Sequence, residues 1–169
     1  TNDVFEYHGV FADFDRCVFG AKPVQNPHPP IYFSGLKDPK RSASRIAKYG
    51  LAGWIGIQDT PEDIAHWRSE IQRELVDMGS DRKLDDGFDM CSMIWFTITD
   101  SPTDQTPNRK LSNLLVGTAQ QIEDNLKRFK EAGMTMPLLW PPFADVPVSK
   151  TLDDLKRLKE EILPKLNAI

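Results

Sequence analysis

Ser34 and Gly35 close a short apolar stretch, "IYFSG", and a basic segment follows them along the chain. Gly35 would let a ligand approach the backbone closely, and the Ser34 hydroxyl can donate a hydrogen bond. In the basic segment, Arg41 is the preferred partner for a phosphate, because a guanidinium binds phosphate through two parallel donors. These residue types predict a phosphate site. The alternative is a plain strand-to-helix turn beside a solvated, basic helix face.

Gly117 and Thr118 form a second candidate anion site, directly before the segment "AQQIEDNLKRF". Thr118 and Gln121 have the spacing of a capping box, which predicts that a helix begins here. The first backbone N–H groups of a helix have no partner within the helix and can face an anion. The alternative is an ordinary N-cap without a ligand.

Two tryptophans are candidates for the wall of a substrate pocket. Trp54 lies in the apolar stretch "GWIGI", where it either offers a surface for ring stacking or belongs to the core. Trp140 ends the stretch "MPLLW" and is followed by two prolines. It either lines an apolar substrate pocket or packs against neighbouring elements.

The sequence does not indicate a metal site or an assembled set of catalytic side chains. His8, His28 and His66 lack the spacing of zinc ligands, and the acidic segment "DRKLDDGFD" lacks the residue order of a calcium loop. No Ser–His–Asp, Cys–His or paired-carboxylate arrangement can be argued from spacing alone. We therefore predict no metal, and the catalytic residues remain unknown.

Composition restricts the class of protein. The 169 residues suffice for one ordinary domain, and 40% hydrophobic with 27% charged residues is typical of a globular chain. The net charge of -4 and the lack of a basic stripe argue against nucleic acid as a partner. No apolar run reaches ~18 residues, so a membrane span is not expected. Cys17 and Cys91 are interpreted as free thiols in a reducing, cytoplasmic compartment, and a single disulfide is the alternative.

Strand and helix patterns alternate along most of the chain. Residues 1–30 combine a hairpin-like stretch with a proline-rich approach, "KPVQNPHPP", that imposes extended backbone. Four strand–helix units then follow at 31–49, 53–78, 88–132 and 136–164. Such alternation predicts an α/β fold with a parallel sheet, whose ligands lie at the carboxyl ends of the strands. Residues 31–169 therefore form a single domain or part of one.

Caps and apolar stripes predict the helix boundaries and their buried faces. Thr60 before Pro61 marks the start of the second helix. We expect the last helix to begin at Thr151 and to end at Pro164. Its apolar stripe predicts four residues that face inward, Leu152, Leu155, Leu158 and Ile162.

Three segments together resemble the luciferase-like monooxygenase family. They are "KPVQNPHPPIYFSG", "SRIAKYGLAGWIGIQDTPEDI" and "VGTAQQIEDNLKRFKEAGM", in this order. The resemblance implies a (β/α)₈ barrel that binds reduced FMN or a deazaflavin coenzyme. It also implies that the proline run delivers the chain to the fifth barrel strand, with the flavin phosphate near the loop after that strand.

The resemblance covers only the carboxyl-terminal half of the family pattern, since four units are present instead of eight. The chain would then be an incomplete part, without much of the flavin ring pocket and without the usual catalytic residues. Around Ser34 the family often has Gly-Gly-Ser/Thr, whereas this chain has Ser-Gly-Leu-Lys-Asp-Pro. The partners implied are an organic substrate, oxygen, a flavin reductase, and either the missing half or a second copy.

The function expected from the resemblance is flavin-dependent monooxygenation of a small apolar organic substrate. Hydride transfer from a deazaflavin coenzyme is one alternative. A non-catalytic flavin-binding or interaction protein built from half a barrel is another. An open four-stranded parallel sheet would expose an apolar inner face and two edges, so we expect the isolated chain to associate and to have little activity.

Overall fold

The computed structural model describes residues 4–18, 20–34, 39–57, 59–85, 87–103, 114–141 and 146–166. The chain divides into two compact units, Thr1–Ile31 and Tyr32–Ile169. The first unit holds an antiparallel hairpin made of β1 (Val4–His8) and β2 (Asp13–Val18).

Aromatic contacts hold the hairpin together. The ring of Phe14 on β2 lies 5.9 Å from that of Phe5 and 5.7 Å from that of Tyr7, both on β1. The turn is closed by the Gly9 N–H, which donates to the Ala12 carbonyl at 2.9 Å. The alternating aromatics therefore pair across two strands, as the sequence pattern predicts.

The second unit alternates strands and helices in the predicted order. Its strands are β3 (Tyr32–Ser34), β4 (Gly53–Ile57), β5 (Asp89–Ile98), β6 (Leu114–Gly117) and β7 (Met136–Trp140). Its helices are α1 (Pro39–Tyr49), α2 (Pro61–Asp77), α3 (Ala119–Glu131), α4 (Val148–Arg157) and α5 (Leu163–Leu166), with a π-helical turn (Leu158–Ile162) between the last two.

All described pairings within this sheet are parallel. β3 pairs with β4, and β4 pairs with the first half of β5. β7 also pairs with β5, with Met93 opposite Leu138 and Trp95 opposite Trp140. The short strand β6, which the sequence analysis did not predict, pairs with the last four residues of β5. The predicted α/β fold with a parallel sheet is confirmed.

One face of the sheet is sealed by helices. Alternate residues of β5 project into this layer, and Met90, Ile94 and Phe96 are at most 1% exposed. The helices supply the other side of the core through fully or nearly fully buried side chains. These are Ile46 of α1, Ile64, Ile71 and Leu75 of α2, and Ile122, Leu126 and Phe129 of α3.

The opposite face, which we call the inner face, has less cover. Met93, Trp95 and Thr97 of β5 lie on it and are only half-buried. On β7, the inner-face residues Met136 and Trp140 are 38% and 39% exposed. A parallel sheet normally has both faces covered, so this asymmetry is what half of a closed barrel would show.

The predicted capping box at Thr118 is present, and the predicted helix start at Thr60 is also a capping box. The Thr60 hydroxyl accepts from the Asp63 N–H at 3.1 Å, and the Asp63 carboxylate accepts from the Thr60 N–H at 2.9 Å. Thr118 and Gln121 make the same reciprocal pair at the start of α3. Each box satisfies two N–H groups that would otherwise lack a partner, which fixes where the helix begins.

The predicted limits of the last helix are wrong. Helix α4 begins at Val148 after Pro147, one turn before Thr151, because the fixed φ of proline suits a helix start. Helical structure continues past Pro164 to Leu166. The wide π-helical turn directly precedes Pro164, a residue that has no N–H to donate to the preceding turn.

The expected inward stripe of this helix is also partly wrong. Leu158 and Ile162 are buried, but Leu152 and Leu155 are 61% and 40% exposed. Asp154 is instead the fully buried residue of α4. Half of the apolar stripe therefore faces outward, where no described element covers it.

We predict that the 169-residue chain alone is not a stable monomer, because its inner face and its outward leucines are both apolar and exposed. Sedimentation at micromolar concentration should show association. Replacing Leu152 and Leu155 with serine should increase the monomer fraction, whereas replacing the exposed Asp153 and Lys156 of the same helix with serine should not. A monodisperse, well-folded monomer of the unmodified chain would contradict the half-barrel interpretation.

Candidate functional site

The candidate site is the edge at which the parallel strands end. Ser34 ends β3, Ile57 ends β4, Gly117 ends β6 and Trp140 ends β7. Carboxyl ends of parallel strands meet at one edge of a sheet, and helix amino termini lie at the same edge. The sequence-predicted residues Ser34, Gly117 and Trp140 therefore each end a parallel strand, and Thr118 follows Gly117. They are not level, since Ser34 lies in the register row of Cys91, whereas Trp140 and Gly117 lie in the rows of Trp95 and Ile98, further along β5.

Ser34 is exposed and pairs in register with Ile55 of β4, so its side chain lies on the inner face. Arg41 lies in the first turn of α1 and is exposed. Its neighbour Arg45 is placed over the Phe33 ring, 5.3 Å from the centroid, so that guanidinium packs on the opposite side of β3 from Ser34. Gly35 lies outside the described residues.

The start of α3 is organised by the Gln121 side chain. Its amide oxygen accepts from the N–H groups of Thr118 and Thr103, both at 3.1 Å, and its amide nitrogen donates to the Thr103 carbonyl at 2.9 Å. A Cβ on Gly117 would lie 2.6 Å from that amide oxygen, so glycine is required for this close approach. The capping box uses the N–H groups of Thr118 and Gln121. Those of Ala119 and Gln120 remain as first-turn donors without a helical partner.

Helix α4 holds the carboxyl end of β5. The Ile98 N–H donates to the Asp154 carboxylate at 3.1 Å, and the Lys150 ammonium donates to the Ile98 carbonyl at 2.6 Å and also to Asp154. The Asp154 side chain is fully buried. The next residue along the chain, Thr99, donates its N–H to the Gly117 carbonyl at 2.8 Å. The Lys150–Asp154 pair therefore supports the strand end that carries the start of α3.

Trp54 is a core residue in this structure. It is 1% exposed, and its ring centroid lies 5.2 Å from that of Trp67 on α2. It therefore takes the core position that the sequence analysis gave as the alternative to the substrate pocket. The indole is on the helix side of β4, since Gly56, two residues further, faces the same layer and leaves room for Trp54 and Asp59.

Trp95 is the aromatic residue of the inner face that the sequence analysis missed. It pairs in register with Trp140, so the two indoles project from neighbouring strands onto the same face. The strand "MCSMIWFTI" is apolar at nearly every position, so sequence alone does not show which residues face the helices. The burial pattern decides it, because the residues on either side of Trp95 are fully buried.

A buried carboxyl lies behind this edge, in the helix layer. Asp59 is 6% exposed and accepts a hydrogen bond from the Ser92 hydroxyl at 2.7 Å. Burial raises the pKa of the Asp59 carboxyl, and the hydrogen bond from Ser92 opposes that rise only in part. Asp59 faces away from the inner face, so it supports the loop after β4 and has no direct path to a ligand on that face.

Polar contacts at the opposite end of the sheet are structural. The Tyr32 hydroxyl donates to the Asp89 carboxylate at 2.6 Å, and this hydrogen bond raises the pKa of Tyr32 to about 12. Burial raises the pKa of the Cys91 thiol to about 11, so this free cysteine is protonated and unreactive at neutral pH. Tyr32 and Asp89 lie at the amino ends of β3 and β5, where residues serve stability, and Cys91 lies in the next inner-face row, level with Ser34.

One group of possible metal ligands occurs on the hairpin. Glu6 and His8 of β1 and Asp15 of β2 place one ligand atom each within 4.8 Å of one another. The sequence analysis missed this group because pairing of two strands brings the residues together. All three side chains are exposed, and exposed acidic groups commonly lie this close without a metal.

Similarity to known proteins is found at the level of structure. Protein-family models give no match, and neither do curated protein sequences. An F420-dependent secondary alcohol dehydrogenase in complex with an F420–acetone adduct matches with a TM-score of 0.68 and 16% identity, over 97% of this chain and 56% of that one. Monooxygenase RslO1 from Streptomyces bottropensis matches with a TM-score of 0.69 and 16% identity, over 98% and 56%.

A third neighbour is the oxygenating constituent of 3,6-diketocamphane monooxygenase from Pseudomonas putida, in complex with FMN. Its TM-score is 0.64 at 10% identity, over 96% of this chain and 58% of that one. The chain has the fold of half of a luciferase-like monooxygenase barrel. It spans about half the length of the solved structures it matches. The first of these neighbours contains F420 and the third contains FMN, which are the two cofactors that the resemblance implies.

Among the described residues, no helix is long and apolar enough to cross a membrane.

The strand ends and the inner face together determine what this half-barrel can hold. The carboxyl edge offers hydrogen-bond donors at Ser34 and at the first turn of α3, and the inner face offers apolar and aromatic surface. These features fit a flavin or deazaflavin, which needs donors for its phosphate and an apolar wall for its ring system.

We predict that Asp154→Ala destabilises the fold by ~2–4 kcal/mol, because it leaves the Lys150 ammonium and the Ile98 N–H without their buried partner. The matched control is Asp153→Ala, an exposed neighbour on the same helix, which should change stability by less than ~0.5 kcal/mol. Chemical denaturation measures both. Equal stability of the two variants would show that the buried carboxylate does not support the strand end.

Proposed function

We propose that this chain is part of a flavin-dependent monooxygenase acting on a small apolar organic substrate, and that it supplies the carboxyl-terminal half of the barrel. The observation that carries the proposal is the inner face at the carboxyl edge. From Met93 towards the carboxyl ends, its described side chains are apolar, aromatic or hydroxylic, and none is ionisable. Such a wall excludes water and holds an apolar molecule, which suits oxygenation carried out by a cofactor.

Within this proposal, each group of residues has a limited role. Ser34, with Gly35 and Arg41 near it in the sequence, is proposed to bind the phosphate end of the cofactor. The first turn of α3, at Gly117 and Thr118, is proposed as a second set of donors for the cofactor, further along the sheet. Trp140 lines the substrate pocket. When bound, the flavin supplies the oxygen chemistry, and the chain binds, orients and keeps water out. The catalytic side chains that touch the reacting atoms belong to the other half of the barrel.

Deazaflavin-dependent hydride transfer is the second candidate function. It is favoured by the fold of two F420-dependent neighbours, the secondary alcohol dehydrogenase and a tetrahydromethanopterin reductase. Hydride transfer to or from an alcohol requires a group that moves a proton. The described part of the inner face has no such group at the carboxyl edge, so this reaction would depend more heavily on residues of the other half.

Closure of the site requires a second set of strands. Three described strands, β3, β6 and β7, each pair with one strand only and leave their other side open. Four further βα units, from the other half of the same protein or from a second copy, would complete eight strands and cover the inner face. The other partners proposed are oxygen, the organic substrate and a flavin reductase.

We predict that Ser34→Glu weakens binding of reduced FMN by at least ~10-fold, because a carboxylate at the end of β3 repels the phosphate and fills its space. Ser69→Glu, which introduces the same charge on the exposed surface of α2, is the control and should bind normally. Equilibrium dialysis of the folded variants measures the affinity. Unchanged affinity of Ser34→Glu would remove this residue from the site.

We also predict that the chain alone couples the oxidation of reduced flavin only poorly to the oxygenation of a substrate. Given reduced flavin, oxygen and a broad set of aldehydes and hydrocarbons, it should yield peroxide and little oxygenated product, because water reaches the open side of the site. Addition of the complementary half should raise the product formed per flavin oxidised. Efficient coupling by the 169-residue chain alone would show that the site is complete without it.

A further inference from the structure

One face of the hairpin made by β1 and β2 is aromatic. Tyr7 pairs in register with Phe14, and Phe5 pairs with Cys17. Residues paired in this way project to the same side of two antiparallel strands, and their neighbours along each strand project to the other side. We call that other side the polar face. The Cys17 thiol, which could otherwise compete for a metal ion, therefore lies on the aromatic face.

The polar face carries a histidine and carboxylates from both strands. His8 of β1 pairs in register with Asp13 of β2. A register shift further along the hairpin leaves Glu6 of β1 opposite two residues of β2, Asp15 and Arg16. Arg16 takes the extra position with a φ of 49°, as in a β-bulge, so Asp15 stays on the polar face with Glu6.

Three side chains of the polar face converge. Glu6, His8 and Asp15 place one ligand atom each within 4.8 Å of one another, and His8 Nε2 lies 3.7 Å from an Asp15 carboxylate oxygen. Two ligand atoms bound to a tetrahedral zinc ion at ~2.0–2.2 Å lie ~3.4 Å apart. All three side chains are exposed, so small rotations would bring them to bonding distance without repacking a core.

The His8 ring is already held in the form that a metal ion needs. Its Nδ1 lies 2.6 Å from an Asp13 carboxylate oxygen. A carboxylate only accepts hydrogen bonds, so Nδ1 carries the proton and Nε2 of the neutral ring keeps its lone pair. Nε2 is the atom beside Asp15, and a cation between the two acceptors would satisfy both. Histidines that bind metals in proteins are commonly oriented by a carboxylate in this way.

The charges of the polar face also favour a cation. Glu6 and Asp15 lie on opposite strands, and like charges in such positions destabilise a strand pair. Arg16 borders a hollow with Glu6, but in the described part of the chain no ion pair joins it to either carboxylate. A two-stranded hairpin is marginally stable by itself, so an ion bound by both strands would stabilise it.

We propose that Glu6, His8 and Asp15 bind a divalent transition-metal ion of the zinc class, and that this ion links β1 to β2. Asp13 orients the histidine ring without contacting the ion. An imidazole with two carboxylates suits zinc, whereas magnesium and calcium take oxygen ligands. Three protein ligands leave the fourth position of a tetrahedral ion to water. The site lies wholly within the first unit, so this inference does not depend on the proposed function.

The test is titration of the untagged 169-residue chain with Zn²⁺ and, separately, with Mg²⁺. Calorimetry measures affinity and stoichiometry, and ¹⁵N NMR follows the histidine ring nitrogens. We expect one Zn²⁺ per chain, with a Kd at least ~10-fold lower than that for Mg²⁺ because an imidazole is a ligand. The His8 Nε2 resonance should shift in a saturable manner, and those of His28 and His66 should not.

Variants identify the ligands. His8→Gln should raise the Kd for Zn²⁺ at least ~10-fold, and so should Asp13→Asn, which keeps an acceptor for Nδ1 but removes its charge. His66→Gln, which removes an exposed histidine from α2, is the matched control. Cys17→Ser tests the nearby thiol. Neither of these two variants should change the Kd.

Cross-strand NOEs between the Phe5 and Phe14 rings show whether the hairpin remains folded in each variant. If His8→Gln loses them, Glu6→Gln takes its place as the ligand variant. Unchanged affinity of a folded ligand variant would overturn the proposal, and so would equal affinity for Zn²⁺ and Mg²⁺. Lack of a saturable shift at His8 Nε2 would also overturn it, and would indicate that His8 only forms ion pairs with its neighbouring carboxylates.

Discussion

The second unit depends on the burial of one side of β5. This strand pairs with three others, and its helix-facing residues meet side chains of α2 and α3 in the core. Burial of each large apolar side chain contributes ~1.5–3 kcal/mol, so the four apolar helix-facing residues of β5 (Met90, Ile94, Phe96 and Ile98) contribute strongly to the stability of the sheet. Ser92 is the polar member of this row, and its hydroxyl is satisfied by Asp59. The rest of the unit is arranged around that packed layer.

The same strand cannot seal its other side with what this chain provides. All described helices of the second unit pack on one face of the sheet, because right-handed crossovers place them there. The inner face therefore stays half-exposed, and Leu152 and Leu155 of α4 are exposed as well. Both exposures have the same cause, since a closed barrel would place further strands against the inner face and a further helix beside α4. An apolar surface of this kind is a binding surface for protein or ligand rather than a solvated exterior.

Local signals in the sequence were sufficient for the order of elements and for two helix starts. A capping box depends on residues three positions apart, so Thr60 with Asp63 and Thr118 with Gln121 could be found without knowledge of the fold. Which residues of each strand point towards the helices could not be predicted in this way. "GWIGI" and "MCSMIWFTI" are apolar on both faces, so no polar alternation shows that Trp54 points to the helices and Trp95 away from them. For α4 the stripe was correctly recognised as apolar, but an apolar pattern within one helix does not show which of its residues meet another element, and Leu152 and Leu155 are exposed.

Polar and apolar groups are separated along the strands, and this separation limits what the half-barrel can do. At the amino ends, the hydrogen bond between Tyr32 and Asp89 ties β3 to β5, and Thr135 adds a contact from the turn before β7. At the carboxyl ends, charged side chains such as Lys150 and Asp154 are used from the helix side, to hold the backbone of Ile98. The inner face between them is left for apolar contact. From Met93 towards the carboxyl ends, the described residues of this face carry no ionisable side chain, so the described wall offers apolar contact and hydroxyl groups rather than charge.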